Sequence, residues 1–259
     1  MTTPKEREPF IEFGGRRIVV SGASSGIGRG VAVELSIRGA SLVLIGREKG
    51  RLEETAGMLA TRDVDVIVLD LKNFPLILPA IRSVMAKRGR FYGLCHCAGV
   101  VETLPLNAIE PDGMQRLFDI NSTAGLELAR ALARRDMMTE EGGSIVFVAS
   151  IYGSVGMAGQ IGYSATKGAL IAASRAMAVE LARRRIRVNT VSPGLVHTRL
   201  SDTALGRLNP EKTKELEEAH PLGPGTPQDV ARAAAFLLAP QTRWITGTDM
   251  IIDGGYTAR

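Results

Sequence analysis

Cysteine is scarce in this chain, which has only two, Cys95 and Cys97, on either side of His96. Alternation along a strand would point both thiols to one face, opposite His96. Two thiolates make an incomplete zinc site, and the other histidines, His197 and His220, lie far away in the sequence. We therefore interpret the cysteines as structural thiols of a buried strand, and we expect neither a metal site nor a disulfide.

Long hydrophobic runs are also missing. No apolar stretch approaches the roughly 18 residues that a membrane-spanning helix needs. The first nine residues are polar and of mixed charge, which does not fit a signal peptide. We expect a cytoplasmic protein that does not engage a membrane.

The excess of positive charge is small, with a formal net charge of +5. Positive residues are interspersed with acids, apart from short groups such as Arg183-Arg184-Arg185. That group ends a predicted helix, where cations complement the helix dipole. The charge therefore predicts no nucleic-acid partner, although it suits a protein that holds a phosphorylated cofactor.

Apolar, β-branched runs alternate with longer amphipathic segments along the 259 residues. This alternation predicts an α/β fold, a doubly wound parallel sheet of about seven strands with helices on both faces. The clearest helices are predicted at 112–138 and 163–184. The strands are predicted at 16–21, 41–45, 65–70, 91–97, 144–149, 186–191 and 249–253.

No long linker or repeat divides the chain, so we expect one domain over residues 1–259, with a flexible N-terminus at 1–14. The least regular segment is 195–226, which contains Pro210, Pro221 and Pro224. It follows a strand at the carboxyl edge of the sheet, where such folds bind ligands. A mobile substrate lid and an ordinary surface excursion are both compatible with it.

A glycine-rich turn follows the first predicted strand and opens the first helix. Glycines allow a tight turn and a close approach to phosphate, while the helix N-terminus offers unpaired N–H groups. The spacing is Gly-x3-Gly-x-Gly, which in this position predicts a nucleotide site. The candidate residues are Ser21, Gly22, Ser24, Ser25, Gly26, Ile27 and Gly28.

Tyr163 and Lys167 stand four residues apart on a predicted helix, with Ser150 upstream. The spacing places the phenol and the ammonium on one helix face, one turn apart. A phenol is a poor acid–base group at its usual pKa of about 10, and a nearby cation lowers that pKa. The three residues are therefore candidates for proton transfer, although such a spacing also arises by chance.

Taken together, the glycine turn, Asn121, Ser150, Tyr163 and Lys167 resemble the short-chain dehydrogenase/reductase family, from about residue 15 to the end. The resemblance implies a Rossmann fold and hydride transfer between a nicotinamide and a carbonyl or secondary alcohol. Tyr163 would be the general acid or base, Lys167 would also hold the nicotinamide ribose, and Ser150 would orient the substrate oxygen. Asn121 would maintain a water that links the lysine to solvent. Further implied cofactor contacts are Asp70, Leu71, Ala98, Gly99, Pro193, Gly194, Val196 and Thr198.

The end of the second strand bears on cofactor choice. An acidic residue there would bind the ribose hydroxyls of NAD, but the chain has Gly46 followed by Arg47. Arg47 could bind a 2′-phosphate, with Ser24 and Ser25 as further donors, so NADP(H) is favoured and NAD(H) remains an alternative. The family usually has Asn-Asn-Ala-Gly where this chain has His96-Cys97-Ala98-Gly99. We expect altered local stability there, with the chemistry retained.

The substrate stays open at this stage. The chain looks most like 3-oxoacyl-acyl-carrier-protein reductases, yet Glu140 and Glu141 should repel an acidic carrier protein. Reduction of another ketone, a sugar or a cyclic alcohol is the alternative, and a catalytically silent NADPH-binding sensor or scaffold is the non-enzymatic one. An enoyl reductase fits less well, because that subgroup separates its tyrosine and lysine more widely. A partly apolar substrate pocket is expected from Val101, Tyr152, Val155, Met157 and Leu200.

The helix predicted at 163–184 is rich in alanine and other small residues, which would let another helix approach closely. In the family the corresponding helices pair subunits. We therefore expect a homo-oligomer, a tetramer or a dimer, while a packing face within one chain is the alternative.

Overall fold

The computed structural model describes residues 11–206 and 209–258. Within them, seven parallel strands form one sheet in the order β3-β2-β1-β4-β5-β6-β7. The predicted doubly wound α/β sheet is therefore confirmed. The strands are β1 Arg17–Ser21, β2 Ser41–Gly46, β3 Val64–Val68, β4 Gly93–His96, β5 Gly143–Val148, β6 Ile186–Pro193 and β7 Asp249–Ile252.

Helices cover both faces of this sheet, because the strands are apolar on both sides. One hydrophobic cluster joins the sheet to α1 and α9, through residues such as Leu35 and Val230. The second cluster joins it to α3, α5 and α6, through residues such as Ile81, Leu128 and Leu170. The helices are α1 Gly26–Ile37, α2 Lys49–Gly57, α3 Phe74–Arg88, α4 Pro111–Phe118, α5 Ala124–Leu132, α6 Ile161–Leu181, α7 Arg199–Leu205, α8 Pro210–Glu218 and α9 Pro227–Leu238.

The single helix predicted at 112–138 is wrong. A π-helical turn at Asp119–Thr123 separates α4 from α5, and α5 ends at Leu132. Beyond it the chain leaves the helical path to pair with the segment before β4, where the Phe91 N–H donates to the carbonyl oxygen of Met137. Met137 and Met138 are fully buried there, so burial of these side chains against the sheet ends the helix early.

The packed part of the chain begins at a lower residue number than the sequence suggests. Residues 1–10, most of the range predicted to be flexible, lie outside the described residues. Phe13 lies inside that predicted range and is fully buried in the core, and its N–H donates to the carbonyl oxygen of Arg38. Packing of the chain therefore reaches at least back to Phe13.

Arg187 of β6 is a buried cation that ties the C-terminal helix to the sheet. Its guanidinium donates to the carbonyl oxygens of Leu237, Ala239 and Ile245 at 2.6, 2.9 and 3.2 Å. It also donates to that of Leu238 at 3.2 Å. The carbonyls of Leu237, Leu238 and Ala239 are ones that a helix end leaves without an internal partner, so Arg187 caps α9 from within the core.

Strand order reverses at β1, which lies between β2 and β4. The turns that follow parallel strands meet at one edge of the sheet, and a crevice opens where the order reverses. The turns after β1 and β4 lie at this point, with those after β5 and β6 beside them. No helix of the described residues is long and apolar enough to cross a membrane.

Candidate active site

A cleft of about 440 Å³ opens at the carboxyl edge of the sheet. It receives side chains and backbone from the turns after β1, β2, β3 and β4, and from α7. Its size is that of an ordinary ligand site. Twelve of the predicted cofactor residues line it: Gly22, Ser24, Ser25, Gly26, Ile27, Gly28, Arg47, Asp70, Leu71, Ala98, Gly99 and Thr198.

The remaining predicted contacts are not among the lining residues, and they are Ser21, Tyr163, Lys167, Pro193, Gly194 and Val196. Ser21 is fully buried behind the wall, and Val196 is buried in a short β-bridge to Gly225. Pro193 is buried at the end of β6. Gly194 packs against His220, since a Cβ at this position would lie 2.7 Å from the His220 Nε2 atom.

The glycine turn is shaped for close backbone approach. Gly22 has a φ of +66°, and a Cβ there would lie 2.7 Å from the Ala98 nitrogen. A Cβ on Gly28 would lie 2.2 Å from the Gly22 carbonyl oxygen. The first turn of α1 contains no acidic residue, so its N–H groups and positive dipole end face the cleft uncancelled. These features fit the phosphates of a dinucleotide.

Cations gather at the end of the cleft beside β2. Arg47, Arg51 and Lys72 all line it, next to Gly46. Arg51 is also paired with Glu48, at 3.2 Å. Sequence reasoning missed Arg51 and Lys72; the spacing of four from Arg47 to Arg51 was the available signal for the first of them.

Ser150, Tyr163 and Lys167 lie together beyond the end of β5, and all are largely buried. The Ser150 hydroxyl is hydrogen-bonded to Tyr163 and accepts the Tyr152 N–H at 3.2 Å. The Lys167 ammonium donates to the carbonyl oxygen of Val148 at 2.8 Å. Its nitrogen lies 5.6 Å from the centre of the Tyr163 ring.

Burial governs the protonation of both groups on α6. It raises the pKa of Tyr163 to about 12, although the hydrogen bond with Ser150 lowers it. Burial also lowers the pKa of Lys167 to about 8, against a raising effect of Cys97. The lowered pKa predicted for Tyr163 is not seen in this structure: burial raises the pKa, and the lowering effect comes from Ser150, with Lys167 not among its causes.

Asn121 lies in the π-helical turn and is fully buried. Its side chain accepts the Val100 N–H at 2.7 Å and donates to the Val100 carbonyl oxygen at 2.9 Å. It also donates to the Thr166 hydroxyl at 3.1 Å. A Cβ on Gly99 would lie 3.2 Å from the Asn121 Oδ1 atom and 3.5 Å from the Lys167 nitrogen. Asn121 and Lys167 thus stand directly behind the cleft wall.

The two cysteines are free thiols, with 3.6 Å between their sulfur atoms. Cys95 is buried in the cluster beneath α1 and α9, and Cys97 packs against the same cluster and lines the cleft. His96 points to the other face, with its ring 6.3 Å from that of Phe147. The predicted alternation of the three side chains is therefore confirmed.

The segment predicted as a lid contains α7 and α8, and residues 207–208 within it lie outside the described residues. Arg199, Leu200 and Thr203 of α7 line the cleft, as does Val101 from the turn after β4. Tyr152, Val155 and Met157 are not among the lining residues. Tyr152 interacts electrostatically with Tyr163 and with Tyr256, a neighbour near the C-terminus that sequence reasoning missed.

A family model described as "Enoyl-(Acyl carrier protein) reductase" matches residues 22–257. The chain is 32% identical to D-erythrulose reductase of Gallus gallus over 253 residues, 96% of this chain and 98% of that protein. It is 36% identical to 3-oxoacyl-[acyl-carrier-protein] reductase of Homo sapiens over 242 residues, 91% and 95% of the two chains.

Solved structures show the same fold. A short-chain type dehydrogenase/reductase from Mycobacterium ulcerans superposes with a TM-score of 0.88 at 30% identity, covering 96% of this chain and 92% of that one. A variant of the actinorhodin polyketide ketoreductase, solved with NADPH, has a TM-score of 0.88 at 25% identity and covers 95% and 98% of the two chains.

Proposed function

This chain belongs to the short-chain dehydrogenase/reductase family, and we propose that Tyr163 is the proton donor with which it reduces a carbonyl at the expense of NADPH. It is an oxidoreductase that acts on carbonyls and alcohols with a nicotinamide cofactor. The observation that carries the proposal is the grouping of Ser150, Tyr163 and Lys167 beyond the end of β5, with the Lys167 ammonium directly behind Gly99 of the cleft wall.

Each residue has a separate task in this scheme. When bound, NADPH supplies the hydride that reaches the carbonyl carbon. Tyr163 gives its hydroxyl proton to the carbonyl oxygen, and Ser150 holds that oxygen by a hydrogen bond. The phenol is protonated at neutral pH and can therefore donate, but burial raises its pKa to about 12, so proton transfer depends on the groups that stabilise the phenolate. In alcohol oxidation the same groups act in reverse.

Lys167 and Asn121 position the other groups. The lysine ammonium is fixed by the carbonyl oxygen of Val148, next to Gly99, where it can hold the nicotinamide ribose and stabilise a phenolate after proton transfer. The Asn121 amide accepts the Val100 N–H and donates to the Val100 carbonyl oxygen. Its proposed link to a water chain would use the irregular backbone of the π-helical turn, where one extra residue per turn disturbs the hydrogen-bond ladder.

Preference for NADP(H) is supported by charge. Arg47, Arg51 and Lys72 stand at the end of the cleft where a 2′-phosphate would lie, and Gly46 leaves no acid at the end of β2. A guanidinium binds phosphate through paired hydrogen bonds. The structure solved with NADPH adds a relative that holds this cofactor.

Two substrate classes remain in competition, a 3-oxoacyl thioester and a small hydroxylated or cyclic ketone, with a 3-oxoacyl reductase and an erythrulose reductase among the relatives. The electrostatic repulsion of an acidic acyl carrier protein is weaker than the sequence suggests. Glu141 accepts two hydrogen bonds from Arg16, at 3.0 and 3.2 Å, and Glu140 accepts one from Arg90 at 2.8 Å. Paired carboxylates repel an acidic surface less than free ones.

The decisive experiment follows NADPH and NADH oxidation with three substrates: a 3-oxoacyl thioester, erythrulose and a cyclic ketone. Turnover with any of them that is lost in Tyr163→Phe supports the assigned chemistry. Binding of NADPH without turnover on any carbonyl in either direction would contradict it. An enoyl thioester serves as the control. We expect no turnover with it, because enoyl reductases separate their tyrosine and lysine more widely than the four residues between Tyr163 and Lys167.

We also propose that α7 and α8 close over the substrate, and that the protein is a homo-oligomer. α7 supplies cleft-lining residues, and His220 at the end of α8 accepts the Leu195 N–H at 3.0 Å, so the segment is anchored at its base. Val179 on α6 is 81% exposed and Trp244 is 89% exposed, so both apolar side chains are available for a contact between subunits. Sedimentation of the wild type and of Val179→Asp tests the assembly; a monomeric wild type at micromolar concentration would contradict it.

A further inference from the structure

A fully buried polar pair lies directly behind the cleft wall. Ser21 ends β1 and His96 ends the neighbouring strand β4, side by side in the sheet. The Ser21 hydroxyl oxygen lies 2.8 Å from the His96 Nδ1 atom. The same oxygen accepts the N–H groups of Cys97 at 3.2 Å and of Ala98 at 3.4 Å. One hydroxyl therefore joins the imidazole to the backbone of the wall.

Counting protons favours one direction for each bond, although the Cys97 N–H is shared with the backbone carbonyl oxygen of Ser21, also at 3.2 Å. The two backbone N–H groups can only donate, so the Ser21 oxygen is an acceptor in both bonds. Its single proton is left for the His96 Nδ1 atom, which must then be an unprotonated acceptor. The neutral imidazole consequently holds its proton on Nε2. Burial favours this neutral form and lowers the pKa of His96 to about 3, with a smaller lowering effect from the Lys167 ammonium.

The ring fits only because residue 125 is a glycine. A Cβ at Gly125 on α5 would lie 2.7 Å from the His96 Cδ2 atom and 2.9 Å from Nε2. Phe147 closes another side of the ring. The Nε2 atom itself is buried and has no hydrogen-bond partner among the described residues. A buried N–H without a partner lowers the free energy of unfolding, so the His96 ring is a source of instability at this position.

We propose that His96 is a positioning residue for the cofactor: it accepts the Ser21 proton and thereby orients the Ser21 oxygen to hold the backbone of Cys97 and Ala98. The proposal rests on the proposed function, since the wall matters only if a cofactor lies against it. That wall is tightly confined, with Gly22 on one side and Lys167 and Asn121 behind Gly99. A small displacement of residues 97–99 therefore changes the surface that the cofactor meets.

The tautomer provides a test that needs no activity. The chain has three histidines, so ¹⁵N labelling of histidine gives three imidazole signals, and His96→Asn identifies one by its loss. We expect His96 to stay neutral with the proton on Nε2 from about pH 6 to about pH 8, where ordinary histidines titrate. His220 should hold the opposite tautomer, because its Nε2 atom accepts the Leu195 N–H. A proton on the His96 Nδ1 atom, or titration of His96 in that range, would overturn the proposal.

Cofactor binding tests the positioning role. His96→Leu and Ser21→Ala each remove one side of the Ser21–His96 bond, and we expect the Kd for NADPH to rise about five- to tenfold, with kcat at saturating NADPH changed less than about twofold. His96→Asn offers an amide oxygen as acceptor and should restore most of the affinity. Ser144→Ala is the matched control, because it deletes another buried strand hydroxyl, bonded to Leu237. Equal, unchanged Kd values in folded His96→Leu and Ser21→Ala would overturn the proposal.

Coupling between His96 and Gly125 separates this inference from the proposed function. Gly125→Ala should unfold at lower urea concentration in the wild-type background and lose most of that penalty in the His96→Asn background, where the side chain is smaller. If the wild type binds no nicotinamide cofactor, the proposed function fails while the tautomer and the coupling still hold. If NADPH binds and the coupling is absent, the close fit of ring and glycine is refuted instead.

Discussion

Lys167 and Tyr163 lie one turn apart on the same face of α6, yet the lysine donates its hydrogen bond to the carbonyl oxygen of Val148. The phenol is bonded to Ser150 instead. Two groups that the sequence pairs directly are thus held by different partners beyond the end of β5. The lysine nitrogen lies 5.6 Å from the centre of the phenol ring, and each group can be removed without breaking a hydrogen bond to the other.

Tyr163→Phe should remove nearly all turnover. Deleting the phenol hydroxyl deletes the proposed proton donor, and general acid catalysis contributes about 10²–10⁴-fold. We expect kcat to fall by at least about 10³-fold, with the Kd for NADPH within about twofold of wild type. Steady-state kinetics and fluorescence titration measure the two. Tyr92→Phe is the control: Tyr92 contacts Arg187 in the core, so its loss should lower stability by about 1 kcal/mol and leave kcat unchanged.

Lys167 should give folding a distinct pH dependence. Its pKa falls to about 8 in the folded protein, below the usual 10.5, so at intermediate pH the unfolded chain binds more protons. Below about pH 8 the folded protein bears the full free-energy cost of burying a charged ammonium. This destabilisation disappears as the pH rises toward about 10.5. The free energy of unfolding of the wild type should therefore rise by up to about 3 kcal/mol relative to Lys167→Met across that window.

Urea unfolding of both proteins at several pH values measures this difference. Using the difference cancels the titration of other groups, such as Tyr152, whose pKa burial raises rather than lowers. A difference that stays flat from about pH 7 to about pH 10 would show that Lys167 is not held in a desolvated site.

Arg47→Asp should reverse the cofactor preference. It replaces a cation at the β2 end of the cleft with an anion that repels a 2′-phosphate and can accept ribose hydroxyls. The KM for NADPH should rise about 10- to 100-fold, while the KM for NADH changes less than about threefold. Lys49→Asp is the matched control, because Lys49 pairs with Glu53 and is not among the lining residues. Equal effects on both cofactors would count against the assignment.

Gly28→Ala should damage the glycine turn by steric conflict. The new Cβ would lie 2.2 Å from the Gly22 carbonyl oxygen, so the backbone that faces the cleft must move. We expect a loss of about 1–3 kcal/mol in unfolding free energy and strongly weakened NADPH binding. Gly50→Ala is the control without a steric conflict, because nothing lies within 4 Å of its Cβ position in α2. That variant should gain about 0.5–1 kcal/mol. Similar unfolding curves for the two variants would contradict the steric argument.

Much of the fold can be predicted from the sequence because its signals are local. The strands are short apolar runs, and the turn from Ser21 to Gly28 combines glycines with a helix start. The early end of the predicted helix 112–138 could not be predicted, since it depends on the burial of Met137 and Met138 against a distant segment.

The site divides in the same way. Tyr163 and Lys167 are recognisable by spacing, but the raised pKa of the phenol arises from its burial, which the spacing does not encode. The bond between Ser21 and His96 joins positions 75 residues apart. No local sequence pattern predicts this contact, because it forms only when β1 and β4 are neighbours in the sheet.

The cap that Arg187 provides for α9 also bears on how such a chain could change in evolution. Its acceptors lie 50 to 58 positions downstream, so the C-terminal segment cannot be exchanged for that of a relative without matching the strand that holds this guanidinium. Deleting the segment would leave this buried cation without its four carbonyl acceptors and with Tyr92 as its remaining partner, which costs far more than losing surface contacts. Recombination within this fold is therefore restricted to crossovers that keep β6 and α9 from the same parent.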